Sequence, residues 1–135
     1  MRAEKCVILL SPALPIGMAA NTAAVLSVTL GRLRPDTVGT DVCDQEGGVH
    51  RGIITFPIPI LAADEEQLRT LRRQAETVGL TAVDFTDLSQ ECRTYEEYIE
   101  RMGHTPETAL RYIGLALCGE RKQVDHLTGS LPLLR

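Results

Sequence analysis

Asn21 is the first residue that invites a chemical reading. It is an amide at the start of an Ala-rich apolar stretch, "MAANTAAVLSVTLG", that follows the run "KCVILL" and the turn "SPALPIG". A helix entered from a strand offers unpaired N–H groups and a positive dipole end, which suit an anion or a developing oxyanion. Ser11 and Gly17 belong to that turn and stand with Asn21 as candidate ligand contacts. The turn is neither a dinucleotide fingerprint, which needs three glycines, nor a P-loop, because Met18 follows Gly17 where a Lys would be required. Asp84 and Asp87, in "VDFTDLSQE", fall where a strand ends, the edge at which α/β sheets gather ligands. Asp87 is the candidate base for hydrolysis, with Asn21 or helix-end N–H groups as oxyanion donors. His50 shares one loop with Cys43 and Asp44 and is a candidate binding residue or thiol partner. Each has a plainer reading: Asn21 bonding the loop backbone, the aspartates forming turns or caps.

The elements that must position these residues alternate along the chain. Residues 5–10 form a strand whose unbroken apolar run implies cover on both faces. A helix follows from Met18 and stops at Gly31, with Arg32 and Arg34 beside its negative end. Residues 35–52 form a polar, Gly-rich connection long enough to be functional, mobile or to hold a short hairpin. "IITFPIPIL" is β-branched, but Pro57 and Pro59 cannot donate ladder bonds, so it reads as an edge strand. "ADEEQLRTLRRQAETVGL" is a helix capped by Asp64 and Gln67, with Leu68, Leu71, Ala75 and Val78 on one core-facing stripe. Arg69, Arg72 and Arg73 lie off that stripe and read as a solvated face. "LTAVDF" is a third strand, "TYEEYIERM" a short helix capped by Thr94 and Glu97, and "ALRYIGLALC" a fourth strand. "ERKQVDHLTGSLPLL" supplies a turn or two of helix and an extended tail. Strands alternating with helices predict an α/β domain over residues 1–135, with helices packed on a mainly parallel or mixed sheet.

Composition narrows the function classes. A chain of 135 residues can bury a core without metals or disulfides. A net charge of -4 makes it a weak bulk attractor of nucleic acid. The opening residues read as a strand and not as a signal peptide, and the apolar stretch around Asn21 is too short to span a bilayer. Cys6, Cys43, Cys92 and Cys118 form no CxxC pair, which predicts free thiols in a reducing cytoplasm, Cys6 and Cys118 buried in strands. His50, His104 and His126 show no ligand spacing, so neither a metal site nor a cofactor is expected.

The ending "LRYIGLALCGERKQVDHLTGSLPLL", with Thr128, Gly129, Leu131 and Leu133, resembles the close of the archaeal and eukaryotic type of peptidyl-tRNA hydrolase. The opening "KCVILL…LPIGMAANTAA" and the segment "LRTLRRQAETVGLTAVDFTD" resemble parts of the same enzyme. The segments "ANTAAVL…LG", "GIITFPIPIL" and "TYEEY" more specifically resemble a bacterial family, domain of unknown function 2000, grouped with that hydrolase fold. The resemblance implies a three-layer α/β/α domain of the peptidyl-tRNA hydrolase type II kind, with a four-stranded mixed sheet, and a homodimer. It aligns Asp87 with the hydrolase's strand-end Asp and Asn21 with its Gln. It places Met18 where the hydrolase has Lys, and Ala24 where it has His. Without that cation, peptidyl-tRNA is a poor fit as substrate and a small-molecule or nucleotide-type ligand a better one; the alternatives are a hydrolase of peptidyl-tRNA-like esters or a dimeric interaction protein.

Overall fold

The computed structural model describes residues 4–135. Residues 1–3, the start of the segment read against a signal peptide, lie outside the described residues. Strand β1 (Glu4–Leu10) leads into helix α1 (Ile16–Leu33), then a 3-10 turn (Pro35–Thr37) and a ribbon of β2 (Val42–Cys43) and β3 (Val49–His50). Next come β4 (Ile60–Ala62), α2 (Glu65–Thr77), β5 (Thr81–Thr86), α3 (Asp87–Glu91) and α4 (Tyr95–Gly103). A second 3-10 turn (Glu107–Ala109), β6 (Tyr112–Glu120) and α5 (Arg121–Thr128) complete the chain.

The main sheet has the order β4-β1-β6-β5. β4 runs parallel to β1, whereas β6 is antiparallel to both β1 and β5, so the sheet is mixed. Alternation along β1 sends Cys6, Ile8 and Leu10 to the α1 face, where they meet Leu26, Leu30 and Phe85. Val7 and Leu9 point the other way, into a core with Leu68, Leu71 and Ala75 of α2 and Val124 of α5. This is why the β1 run is apolar throughout: both of its faces are covered. At Gly114 α1 lies so close that an added Cβ would sit 2.8 Å from Thr22 Cγ2. The capping box of α2 forms as its sequence implies, Asp64 accepting from the Gln67 N–H at 2.9 Å, and Gly79 ends that helix at a positive φ of 76°.

Several expectations are corrected. Helix α1 begins two residues earlier than Met18 and passes through Gly31 to end at Leu33, because Pro35, and not the glycine, forbids continuation. At 18 residues α1 is long and apolar enough, by length and composition alone, to cross a membrane; here Thr22, Leu26 and Leu30 seat it on the sheet. Of "IITFPIPIL" only its last two residues join a strand, which runs on to Ala62, Pro57 and Pro59 holding the rest out. The edge of β4 is covered by the tail: the Leu134 N–H donates to the Ile60 carbonyl and the Ala62 N–H to the Pro132 carbonyl. Val78 is exposed at the end of α2, and Leu80 takes its place in the core. Cys6 and Cys118 are not free thiols. They oppose each other in the β1–β6 register and form a disulfide, which removes the ground for expecting a reducing compartment; Cys43 and Cys92 are free.

Candidate functional site

Helix α3 was not legible as an element, yet it builds the site. Thr86 ends β5 and caps α3, its N–H donating to Ser89 Oγ at 3.1 Å. After α3 the chain breaks at Cys92 and restarts at α4, where Thr94 Oγ1 accepts from the Glu97 N–H at 3.1 Å. The α3–α4 segment stands off the outer edge of β5, while α1 lies on the adjacent face. Between them runs a groove of about 520 Å³. Asn21, Val25, Leu26 and Thr29 of α1 form one wall, β5 from Val83 to Phe85 the floor, and Ser89, Gln90, Cys92 to Tyr95 and Tyr98 the other wall. That volume suits a small organic molecule. Gln90 Nε2 donates to Met18 Sδ at 3.4 Å, tying α3 to the first turn of α1.

The topology gathers most of the sequence-derived candidates at one end of the sheet, where β1 and β5 finish and β6 begins. The Ser11 N–H donates to the Ile113 carbonyl, and Ser11 Oγ accepts from the Ala13 N–H. Gly17 lies in the first turn of α1 with open space around it. Asp87 pairs with Arg111: its N–H donates to the Arg111 carbonyl at 2.9 Å, and its Oδ1 accepts from the Arg111 N–H at 3.1 Å. Of these candidates Asn21 and Asp84 line the groove; Ser11, Gly17, Asp87 and His50 do not. His50 sits in the β2–β3 ribbon, its Nε2 2.8 Å from Asp44 Oδ2. That bond, with the Gly48 and Glu46 N–H groups, holds the Asp44 carboxyl below its ordinary value. Cys43 is not the partner of His50, because His50 opposes Val42 and the neighbouring residue's side chain leaves the ribbon on the other face. Among the described residues no group of three or more His, Cys, Asp or Glu side chains converges to hold a metal.

Sequence reasoning missed Ser89, Gln90, Cys92, Arg93 and the tyrosine pair. The signal available was the spacing of Tyr95 and Tyr98, one helical turn apart behind the Thr94 cap; their ring centroids lie 5.5 Å apart.

A family model described as a protein of unknown function, DUF2000, matches residues 4–135. The chain belongs to the DUF2000 family. The solved structure of a protein of unknown function from Agrobacterium tumefaciens strain C58 matches it with a TM-score of 0.88 over 98% of each chain, at 22% identity. That likeness shows the shared mixed α/β fold. No curated relative matches the chain.

In this DUF2000 protein Arg69 and Arg72 of α2 are not part of a solvated face, whereas Arg73 is exposed. Arg72 Nε donates to Asp84 Oδ2 at 3.0 Å, on the side of the sheet away from the groove. Arg69 and Arg73 both bond Glu107, which also accepts from the Tyr112 hydroxyl at 2.8 Å. Burial first, then the bond to Glu107, pushes the Tyr112 hydroxyl up to about 12. The Tyr112 bond, followed by Arg73, holds Glu107 below the usual glutamate value of 4.5. A carboxyl depressed on folding contributes stability above its unfolded pKa and loses it as pH falls through the folded value. Stability measured by urea unfolding should therefore fall below about pH 4.5, and Glu107→Gln should flatten that acid limb. An unchanged acid limb in the variant would show that Glu107 does not contribute to it.

Proposed function

We propose that the groove between α1, β5 and the α3–α4 segment is a small-molecule binding site, on a fold of the peptidyl-tRNA hydrolase type II kind. The observation that carries this reading is the composition of the groove. An apolar floor of Val83 and Phe85 is bordered by the polar residues Asn21, Ser89 and Arg93 and by two tyrosines. The four-stranded mixed sheet between helices supports the hydrolase-like fold. Binding is favoured over ester hydrolysis because Asp87, the residue aligned with the hydrolase's Asp, already accepts from the Arg111 N–H and does not line the groove. Asp84 borders the groove through its backbone, but its carboxylate is held by Arg72 on the opposite face. Among the described residues no carboxylate side chain is thus free in the groove to activate a water.

A screen of small metabolites by thermal unfolding tests the proposal. A ligand at a hundredfold excess over its Kd stabilises by about 2.7 kcal/mol, enough to raise Tm by several degrees. Asn21→Ala should abolish the shift while leaving the unliganded Tm unchanged, since Asn21 is exposed. A ligand whose shift survives both Asn21→Ala and Tyr98→Ala would place the site elsewhere.

A further inference from the structure

We infer that the groove selects a monoanionic ligand, a carboxylate carried on a flat apolar body, with Arg93 as its anchor. This rests on the groove being the ligand site, and it adds the charge and shape of the occupant. The argument begins with pairing. Arg69, Arg72, Arg73, Arg101 and Arg111 each have a carboxylate within 3.4 Å. Among the described residues the guanidinium of Arg93, like those of Arg32, Arg121 and Arg135, has no such partner, but of these only Arg93 lies on the groove; its main-chain N–H donates to Glu97 Oε1 at 3.4 Å. Arg93 is also the one Lys or Arg that lines the groove.

The groove offers no compensating negative side chain. Asp84, the single acidic residue among those lining it, turns its carboxylate through the sheet to Arg72. A chain of net charge -4 therefore presents, beside an apolar trough, one arginine whose guanidinium no carboxylate bonds. A guanidinium recognises a carboxylate through two parallel N–H bonds, and such charge-assisted bonds exceed neutral ones in strength. One cation matches one negative charge, which favours a monocarboxylate over a polyphosphate. The Tyr95 and Tyr98 rings, inclined at 54° to each other, give the ligand body an aromatic wall, and Val25 and Phe85 line the groove with them.

The two free cysteines provide the assay. Cys92 lines the groove and Cys43 lies on the exposed ribbon, so an occupant should shield the first thiol and spare the second. Alkylation by iodoacetamide, followed by mass spectrometry of each site, is measured with 2-naphthoate, its neutral amide and hexanoate. Naphthoate is expected to slow alkylation at Cys92 and not at Cys43, with hexanoate weaker. The amide should need roughly tenfold more, and Arg93→Gln should weaken naphthoate ten- to hundredfold, in line with a lost charge-assisted bond. Arg93→Lys should restore part of the effect.

Equal protection by naphthoate and its amide, or an Arg93→Gln variant matching wild type, overturns the anion assignment and leaves the groove reading standing. Absence of protection by all three compounds overturns it as well. The groove reading then survives only if the thermal screen yields a ligand lost in Asn21→Ala.

Discussion

Reduction of the Cys6–Cys118 disulfide should lower the melting temperature by roughly 10 °C. The cross-link joins residues 112 apart in sequence and so constrains nearly the whole unfolded chain. A disulfide that constrains the unfolded chain typically stabilises a fold by about 3 kcal/mol, which in a domain of this size corresponds to a shift of that order. Both cysteines are fully buried between β1 and β6 and under α1, so reduction should be slow in the native state and fast once the protein unfolds. The Cys6→Ala/Cys118→Ala variant should show the same loss without added reductant. A thiol count on denatured, unreduced protein checks the premise: two thiols, from Cys43 and Cys92, are expected, and four after reduction. Four thiols before reduction would remove the disulfide and its contribution together.

Replacing Arg69 by Ala should cost about 2 kcal/mol, within the range for leaving buried hydrogen-bond acceptors without a donor. The guanidinium is only 14% exposed and serves three acceptors: Glu107 Oε2, the Glu107 carbonyl and the Leu110 carbonyl. It also lies 5.1 Å from the centre of the Tyr112 ring. Removing it leaves carbonyls that pin the turn before β6 without a donor, and an unmade bond costs more than a made one gains. Arg69→Lys should recover only part of the loss, since one ammonium cannot reproduce a planar fork. Urea unfolding should show a lower midpoint at unchanged slope. A midpoint within error of wild type would mean that water replaces the arginine at no cost.

The extent to which this fold is legible in the sequence differs from element to element. β1 and α2 are readable because their signals are local: an unbroken apolar run, and a capping box in front of a stripe with helical period. The end of α1 misleads because Gly31 resembles a stop, although one interior glycine costs only about 1 kcal/mol and the helix runs on to Leu33. The arginines of α2 look like a solvated face because their partners, Asp84, Glu107 and Tyr112, lie 12 or more residues away in the chain. The disulfide escapes for the same reason. Nothing near Cys6 names Cys118; the antiparallel register of β1 and β6 does.

The candidate site divides along the same line. By itself the sequence determined that the chain alternates strands and helices, as a mainly parallel or mixed sheet requires, that a strand-to-helix turn precedes Asn21, and that the lysine expected by resemblance is replaced by Met18. These follow from residue type and short-range period. The tertiary structure alone decided that Asn21 faces Ser89, Arg93 and Tyr98 across a groove while Asp87 is spent on Arg111. It also decided that Arg93 is left without a carboxylate. Which charges meet, and which remain unpaired, depends on distances through space between residues far apart in the chain, and no local pattern encodes those distances.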